Sequence, residues 1–241
     1  MIKFRTLTDD DPDLQYSPLL RAALVTMAYA QEHGAIPLTQ TKAFKRVFVH
    51  WAVEQINWPN HSLHEMLRYQ KVLNESDFAP LEVLRCLLIQ LKLARHYKDQ
   101  FRLTKRGVEL AKSPAGLFAE LTPYFVLRLD HSSYSRFDER PLGKWDVWLN
   151  VINWEADHGS TDARIYKAFY GDEDRVQNQA WREMSVFFFF VLRPLTWAGL
   201  LVEQRVKAED GTTANHIFKT PLWRSVLKLD LDDQLRPHII Q

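Results

Sequence analysis

The chain has 241 residues, of which 46% are hydrophobic and 25% charged, a composition typical of a globular protein that buries one substantial core or two smaller ones. No apolar run approaches the roughly 20 residues that span a bilayer, so we expect no membrane partner. The acidic N-terminus lacks the order of a signal peptide. Cys86 is the only cysteine, which excludes an intrachain disulfide and makes a cytoplasmic location the expectation.

The formal net charge of +1 is unevenly distributed along the chain. Residues 35–113 carry 13 Lys and Arg against 7 Asp and Glu, a net +6, whereas the rest carries 18 against 23, a net −5. A basic patch confined to one segment is typical of a surface that binds phosphate groups. The alternative is that these charges lie on solvated helix faces that happen to cluster.

Three helices are predicted in the first third of the chain. Residues 18–29 form an apolar helix after an acidic leader, either packed across the following module or used for dimerisation. Residues 41–51 form an amphipathic helix with a basic flank, and its apolar face consists of Phe44, Val47, Phe48 and Trp51. After a break at Trp58-Pro59-Asn60, residues 62–73 carry a weaker helical pattern.

A buried helix, a hairpin and a capped helix follow. Residues 81–93 are a dense apolar run, with Pro80 well placed for its first turn. Two short strands, 93–97 and 101–103, flank a polar turn. Thr104 can accept a hydrogen bond from a backbone N–H of the next turn, which predicts that it caps a helix through residue 112.

This order of three helices and a hairpin resembles the winged helix-turn-helix superfamily. The wing is carried by Phe101 to Ala111, a short strand that ends in Leu-Thr and continues into a helix, and Ile36-Pro37-Leu38-Thr39 supplies the small extra strand that many members have. The same region is similar to the helical region of uncharacterised plasmid- and transposon-borne proteins, which begins with Pro-Leu-Thr and ends in Leu-Thr-x-x-Gly. Both resemblances cover residues 36–113 and imply a module that binds nucleic acid or a protein partner.

The resemblance and the basic charge together predict which side chains contact duplex DNA. They are Lys42, Lys45, Arg46, Arg85, Gln90, Arg95, His96, Lys98, Arg102, Lys105 and Arg106. The helix in the recognition position, residues 81–92, is too apolar to offer a broad polar surface to base edges. Contacts from the wing and from the basic flank of the first helix are therefore expected to dominate.

The second half repeats this pattern in diverged form. Residues 186–192 are apolar and fit a helix buried all round or a strand. A hairpin around Asp210-Gly211 follows, and Thr220 stands where Thr104 stands in the first copy. A linking helix over 115–129 and a polar loop over 130–136 separate the copies.

Tryptophan is concentrated in the second half, where six of the eight occur after residue 144. The simpler interpretation is core packing, since large aromatic residues dominate cores. The sharper hypothesis is a hot spot for a protein partner, because tryptophan is enriched at such sites. The candidates for this role are Trp145, Trp148, Trp154 and Trp197.

No catalytic or metal site is predicted. His61 and His64 lie three residues apart without a third ligand in sequence reach, and Asp130-His131-Ser132 are adjacent, whereas a hydrolase triad assembles in space. Cys86 lies in an apolar helix, where a thiol stays inert. No glycine loop that cradles phosphates is present, so we expect a protein that is not an enzyme and uses no cofactor.

The sequence thus predicts a mainly helical α+β fold with small β-hairpins, built from two tandem winged-helix-like domains and an N-terminal helix. The expected division is an extension over 1–34, a first domain over 35–113, a linking helix and loop over 114–140, and a second domain over 141–241. The expected function is non-enzymatic binding of duplex DNA, as a regulator or a mobile-element accessory protein. The alternative is a non-catalytic interaction module whose aromatic second domain binds a protein partner or a second copy.

Overall fold

The computed structural model describes residues 2–69, 71–134, 137–171, 177–207 and 213–235. The α-helices are α1 (Pro18–Glu32), α2 (Arg46–Ile56), α3 (Leu63–Tyr69), α4 (Ala79–Gln90), α5 (Lys105–Leu110), α6 (Pro114–Leu127), α7 (Trp145–Glu155), α8 (Asp162–Tyr170), α9 (Gln177–Phe187), α10 (Arg193–Ala198), α11 (Pro221–Val226) and α12 (Asp232–Leu235). The strands are β1 (Lys3–Phe4), β2 (Ile36–Pro37), β3 (Ala94–Tyr97), β4 (Gln100–Leu103), β5 (Ser160–Thr161), β6 (Leu201–Lys207), β7 (Thr213–Lys219) and β8 (Leu227–Lys228). Helices with small antiparallel sheets confirm the predicted α+β class.

The chain divides into two compact units. The first unit is Leu7–Phe125, and the second unit is Met1–Thr6 together with Val126–Gln241. Within the described residues, no helix is long and apolar enough to cross a membrane.

The N-terminal helix α1 lies in the core of the first unit, as one of its two predicted roles required. Ser17 caps it by accepting a hydrogen bond from the Leu20 N–H at 3.2 Å. Its apolar face, which includes Leu19 and Met27, is fully buried, and the helix packs against α2, α4 and β4. The face that sequence alone also offered for dimerisation is therefore occupied inside the unit.

Helix α2 begins at Arg46, so the predicted start at Thr41 is wrong. Phe44 pairs with Leu38 in an isolated antiparallel bridge, and its ring packs edge-on against Phe101 at 5.1 Å between centroids. Because this contact holds residue 44 in extended backbone, the helix starts only after it. The shift also moves Val47 off the buried face, and its side chain is 80% exposed.

A threonine closes the base of the hairpin in the first unit. The Thr104 hydroxyl donates to the Lys92 carbonyl at 2.8 Å, and the Thr104 N–H donates to the Leu93 carbonyl at 3.0 Å. The same hydroxyl oxygen accepts the Gly107 N–H at 3.1 Å, which confirms the predicted cap of α5. Gly107 lies so close to Leu93 that a Cβ there would be 2.9 Å from the Leu93 carbonyl carbon. We call this arrangement the threonine clasp.

The second unit repeats the strand order and the two bonds that tie the threonine to the preceding helix, but the Thr220 side chain makes no capping hydrogen bond to α11, so the predicted repeat of the cap is wrong. Its three-stranded sheet has the order β5-β7-β6, which matches β2-β4-β3 in the first unit. The Thr220 hydroxyl donates to the Gly199 carbonyl at 2.6 Å, and the Thr220 N–H donates to the Leu200 carbonyl at 3.1 Å. The order of helix, hairpin, threonine and helix thus recurs, while the predicted turn at 210–211 lies outside the described residues.

The apolar run 186–192 is helical, which settles the choice left open by its pattern. Helix α9 continues through a π-helical turn over Phe188–Leu192 into α10. Phe187 and Phe190 are buried, which explains why this helical run shows no amphipathic pattern in the sequence.

A buried polar network fixes α7 to the region after β7. The Lys219 ammonium donates to the Asp157 Oδ1 at 2.7 Å and to the Asn153 carbonyl at 2.8 Å. The Trp223 indole N–H donates to the Asn153 Oδ1 at 2.9 Å. Burial alone would raise the pKa of Asp157, but the hydrogen bond and charge of Lys219, with the charge of Arg224, hold that pKa below its ordinary value.

Candidate nucleic-acid interface

Three cations surround one exposed aromatic ring on the hairpin of the first unit. The Arg95 and Arg102 guanidinium carbons lie 5.5 and 5.2 Å from the centre of the Tyr97 ring, and the Lys98 ammonium lies 5.6 Å from it. The Tyr97 side chain is 44% exposed. We call Arg95, Tyr97, Lys98 and Arg102 the Tyr97 cluster.

The register of the hairpin produces this cluster. Arg95 lies directly opposite Arg102, and Tyr97 lies two residues beyond Arg95, on the same face of the sheet. Like charges that face each other across two strands are destabilising, so the hairpin carries a local electrostatic cost. Among the residues that the structure describes, no carboxylate is within ion-pair distance of Arg95, Lys98 or Arg102. An anion bound at this face would relieve the repulsion.

Lys42 holds the tip of the hairpin. Its ammonium donates to the Asp99 Oδ1 at 2.9 Å and to the Lys98 carbonyl at 3.3 Å. This hydrogen bond and the charge of Lys42 lower the pKa of Asp99, which therefore stays ionised. Lys98 adopts φ 53°, in the left-handed region, which lets a two-residue turn connect the strands. Lys42 therefore stabilises the conformation of the hairpin tip.

Lys45, Arg46 and Arg85 line an open groove together with the acidic Glu75 and Glu82. Arg46 donates to the Asn74 Oδ1 at 2.9 Å. Arg85 is buried, and its Nε lies 2.7 Å from the Glu75 Oε1. Burial raises the pKa of Glu75, although the Arg85 guanidinium opposes this rise. The Arg85 guanidinium is therefore engaged inside the protein, which a contact with DNA would have to disrupt.

His96 is on strand β3 of the hairpin, close enough to Arg85 and Lys42 to feel their charges. Partial burial and the positive charges of Arg85 and Lys42 lower the pKa of His96 below its ordinary value. The ring is therefore neutral at pH 7, and a negative group bound nearby would raise that pKa.

The other predicted contacts lie at the opposite end of the hairpin. Arg106 donates to the Leu91 carbonyl at 2.7 Å and forms an ion pair with Glu120 at 2.7 Å, so it caps the end of α4. Lys105 is exposed at the first position of α5, and Gln90 is exposed at the last position of α4. These three residues lie apart from the Tyr97 cluster, at the clasped base of the hairpin.

Helix α4 offers little to base edges, as its sequence predicted. Leu84, Leu87 and Leu88 are buried, and its less buried positions are Ala79, Glu82, Cys86, Ile89 and Gln90. One acidic, one thiol, two apolar and one amide side chain do not form the donor set that reads a major groove.

The four candidate tryptophans of the second unit have different surroundings. Trp148 is buried, and Trp145 lies edge-on to it at 5.3 Å between ring centres. Trp197 is half-buried with the Arg193 guanidinium 5.0 Å from its ring. Trp154 is 52% exposed and Trp181, which the sequence interpretation missed, is 57% exposed.

The sequence interpretation also missed Tyr97 as the centre of the basic cluster. The signal was present, since an aromatic residue two positions from an arginine on a strand shares that arginine's face. Elsewhere in the described part of the chain, no group of three His, Cys, Asp or Glu side chains is placed to hold a metal ion.

Comparison with known proteins places both halves of the chain in described domains. Residues 15–116 match the Y4jL N-terminal domain, and residues 135–221 match the y4jL C-terminal domain. Over 175 residues the chain is 33% identical to the uncharacterized protein y4jL of Sinorhizobium fredii (strain NBRC 101917 / NGR234), with 70% of this chain and 80% of the relative covered. No solved structure matches the chain. The Tyr97 cluster lies within the N-terminal domain match.

Proposed function

We propose that this chain, which belongs to the two-domain y4jL family, binds duplex DNA without catalysing a reaction, through the hairpin of its first unit. The observation that carries the proposal is the Tyr97 cluster, three cations around an exposed ring with no carboxylate among the described residues to neutralise them. A winged-helix relationship and a role as a regulator or mobile-element accessory protein are part of the same proposal.

The chemistry favours contacts with phosphates over contacts with bases. Arg95, Lys98 and Arg102 supply charge-assisted donors for phosphate oxygens, which position a protein on DNA without reading its sequence. The outward face of α4 has no such donors. We therefore expect binding that tolerates many sequences and weakens steeply with salt.

The test compares two triple variants in fluorescence-anisotropy titrations of a labelled duplex from 50 to 200 mM salt. Replacing Arg95, Lys98 and Arg102 by alanine should weaken binding and reduce the slope of log K against log salt by roughly 2.7, about 0.9 for each phosphate that the protein no longer neutralises. The matched control replaces the exposed Lys3, Lys144 and Lys228 of the second unit by alanine, which removes the same charge elsewhere.

Two results would reject DNA binding through this hairpin. One is the failure of the wild-type chain to bind any duplex at 50 mM salt. The other is an equal effect of the two triple variants, because net charge would then explain the affinity and the position of the cluster would not.

Exposed tryptophans favour the second candidate function, a protein-interaction module. Trp154 and Trp181 are both more than half exposed in the second unit, and tryptophan is enriched among the residues that carry most of the binding energy at protein interfaces. Replacing both by serine should abolish retention of a protein partner in affinity copurification and leave DNA affinity unchanged. If the double variant retains the partner as well as the wild type does, Trp154 and Trp181 do not form the partner-binding surface.

A further inference from the structure

Among the described strands of the second unit, β6 lies at the edge of its sheet. In the described residues, all seven of its positions pair with β7 on one side, and the sheet order β5-β7-β6 leaves its other side without a strand. Val202 and Val206 are exposed on one face of this strand. A long edge strand with exposed apolar side chains is a template for pairing with another strand.

The hydrogen bonds at the base of the hairpin show which residues face this open edge. The Thr220 N–H donates to the Leu200 carbonyl at 3.1 Å, which is one of the two bonds of a hydrogen-bonded position of the antiparallel ladder, while the Leu200 N–H donates to the Leu195 carbonyl. Because such pairs alternate, Val202, Gln204 and Val206 direct their backbone groups toward β7. The backbone N–H and C=O groups of Leu201, Glu203, Arg205 and Lys207 therefore point toward the open edge.

We propose that the occupant of this edge is β6 of a second copy, paired antiparallel about a two-fold axis at Gln204. In this register Glu203 lies opposite Arg205 of the second copy, and Arg205 lies opposite its Glu203. Val202 and Val206 face each other in the same reciprocal way. The outward backbone groups of each strand meet those of the other, so the pairing forms a complete ladder and joins the two three-stranded sheets.

Charge complementarity selects this register over its neighbours. A shift of one residue would set outward backbone groups against inward ones and break the ladder. A shift of two residues would set either Glu203 against Glu203 or Arg205 against Arg205 across the axis, and like charges directly opposite are destabilising. The register centred on Gln204 has opposite charges at both positions and uses the whole strand.

The surroundings of Glu203 are consistent with a missing cation. The residue is half-buried, and no ion pair joins it to a cation among the described residues. Burial raises the pKa of Glu203, the charge of Arg205 on the same strand opposes this rise, and the neighbouring Asp162 adds to it. Arg205 lies two positions along on the same face of the strand. Pairing with a second copy gives each Glu203 a directly opposed arginine.

Charge reversal and its repair test the pairing on the full chain. Sedimentation equilibrium should show a dimer for the wild type, and Arg205→Glu or Glu203→Arg alone should raise its dissociation constant on the order of tenfold to a hundredfold, since both cross-axis pairs become repulsive. The double variant Glu203→Arg with Arg205→Glu should dimerise as the wild type does. A monomeric wild type at the highest concentration, or a double variant as weak as the singles, would overturn the proposal.

Cysteine cross-linking provides a test that does not depend on altering charge. In a Cys86→Ser background, Gln204→Cys places two thiols across the axis, where Cα atoms of a non-hydrogen-bonded pair are about 4.5 Å apart and a disulfide fits. The matched control Val202→Cys places them four residues apart, about 13 Å along the strand, beyond disulfide reach. Oxidised dimer is expected for Gln204→Cys only. Absence of dimer for that variant, or equal yields for both, would overturn the register.

Discussion

Replacing Arg85 by methionine separates a structural role of this residue from the DNA contact that its sequence position predicted. The side chains of Arg85 and Glu75 are 11% and 2% exposed and lie 2.7 Å apart, so the substitution leaves a buried carboxylate without its partner. Breaking a buried pair in this way costs about 3 to 5 kcal/mol. Because whole proteins are stable by only about 5 to 15 kcal/mol, we expect a large loss of stability.

Urea denaturation followed by circular dichroism measures this loss. In thermal denaturation, a decrease of about 3 to 5 kcal/mol corresponds to a fall in Tm of roughly 10 to 20 °C for a unit of this size. The control is the double variant Arg85→Met with Glu75→Leu, which should recover most of the stability because no charge remains buried. At temperatures where it is folded, this double variant should bind DNA with an affinity within about twofold of wild type, a difference in binding free energy of about 0.4 kcal/mol.

The structural role of Arg85 is refuted if Arg85→Met changes the free energy of unfolding by less than about 1 kcal/mol, the scale of a surface ion pair. It is also refuted if the double variant stays as unstable as the single one. A folded double variant that no longer binds DNA would return Arg85 to the DNA interface.

Three further predictions concern other sites. Gly107→Ala should destabilise the first unit by about 1 to 3 kcal/mol or more in urea denaturation, because the new Cβ meets the Leu93 carbonyl; an unchanged midpoint would contradict the close approach. Lys219→Met should lower the free energy of unfolding of the second unit and flatten its dependence on pH between pH 5 and 3. In the wild type the lowered pKa of Asp157 contributes stability that is present above the unfolded pKa of 3.8 and is lost as pH falls. An unchanged pH profile would refute this. DNA affinity at constant ionic strength should rise as pH falls below 6.5, because bound phosphate favours the charged form of His96. His96→Gln should remove this rise, and a rise that persists in this variant would contradict the prediction.

Local interactions made the hairpin and its cap predictable from sequence. The two strands flanking a polar turn, and Thr104 before a helix, depend on residues within about a dozen positions of each other. The start of α2 was not predictable in this way. Phe44 leaves the helical pattern because it packs on Phe101, which is remote in sequence, and periodicity contains no information about that contact.

The candidate site was predictable in composition and not in arrangement. The excess of basic residues over 35–113 located the site, and Arg95, Lys98 and Arg102 were among the residues named from it. Their convergence on Tyr97 depends on the register of two strands, which sequence spacing did not fix. Arg85 has the same charge as Lys45 and Arg46, which line the same groove, and only burial distinguishes its ion pair with Glu75 from a surface contact.

The threonine clasp also has a mechanical consequence. In each unit one threonine ties the base of the hairpin to the carbonyl end of the preceding helix, through both its hydroxyl and its N–H. A displacement of the hairpin tip is therefore transmitted to the preceding helix, because the base of the hairpin is hydrogen-bonded to that helix and does not act as a hinge. Replacing Thr104 by valine would remove the hydroxyl hydrogen bonds at the base of the hairpin. The hairpin tip could then move without displacing the helices of the core.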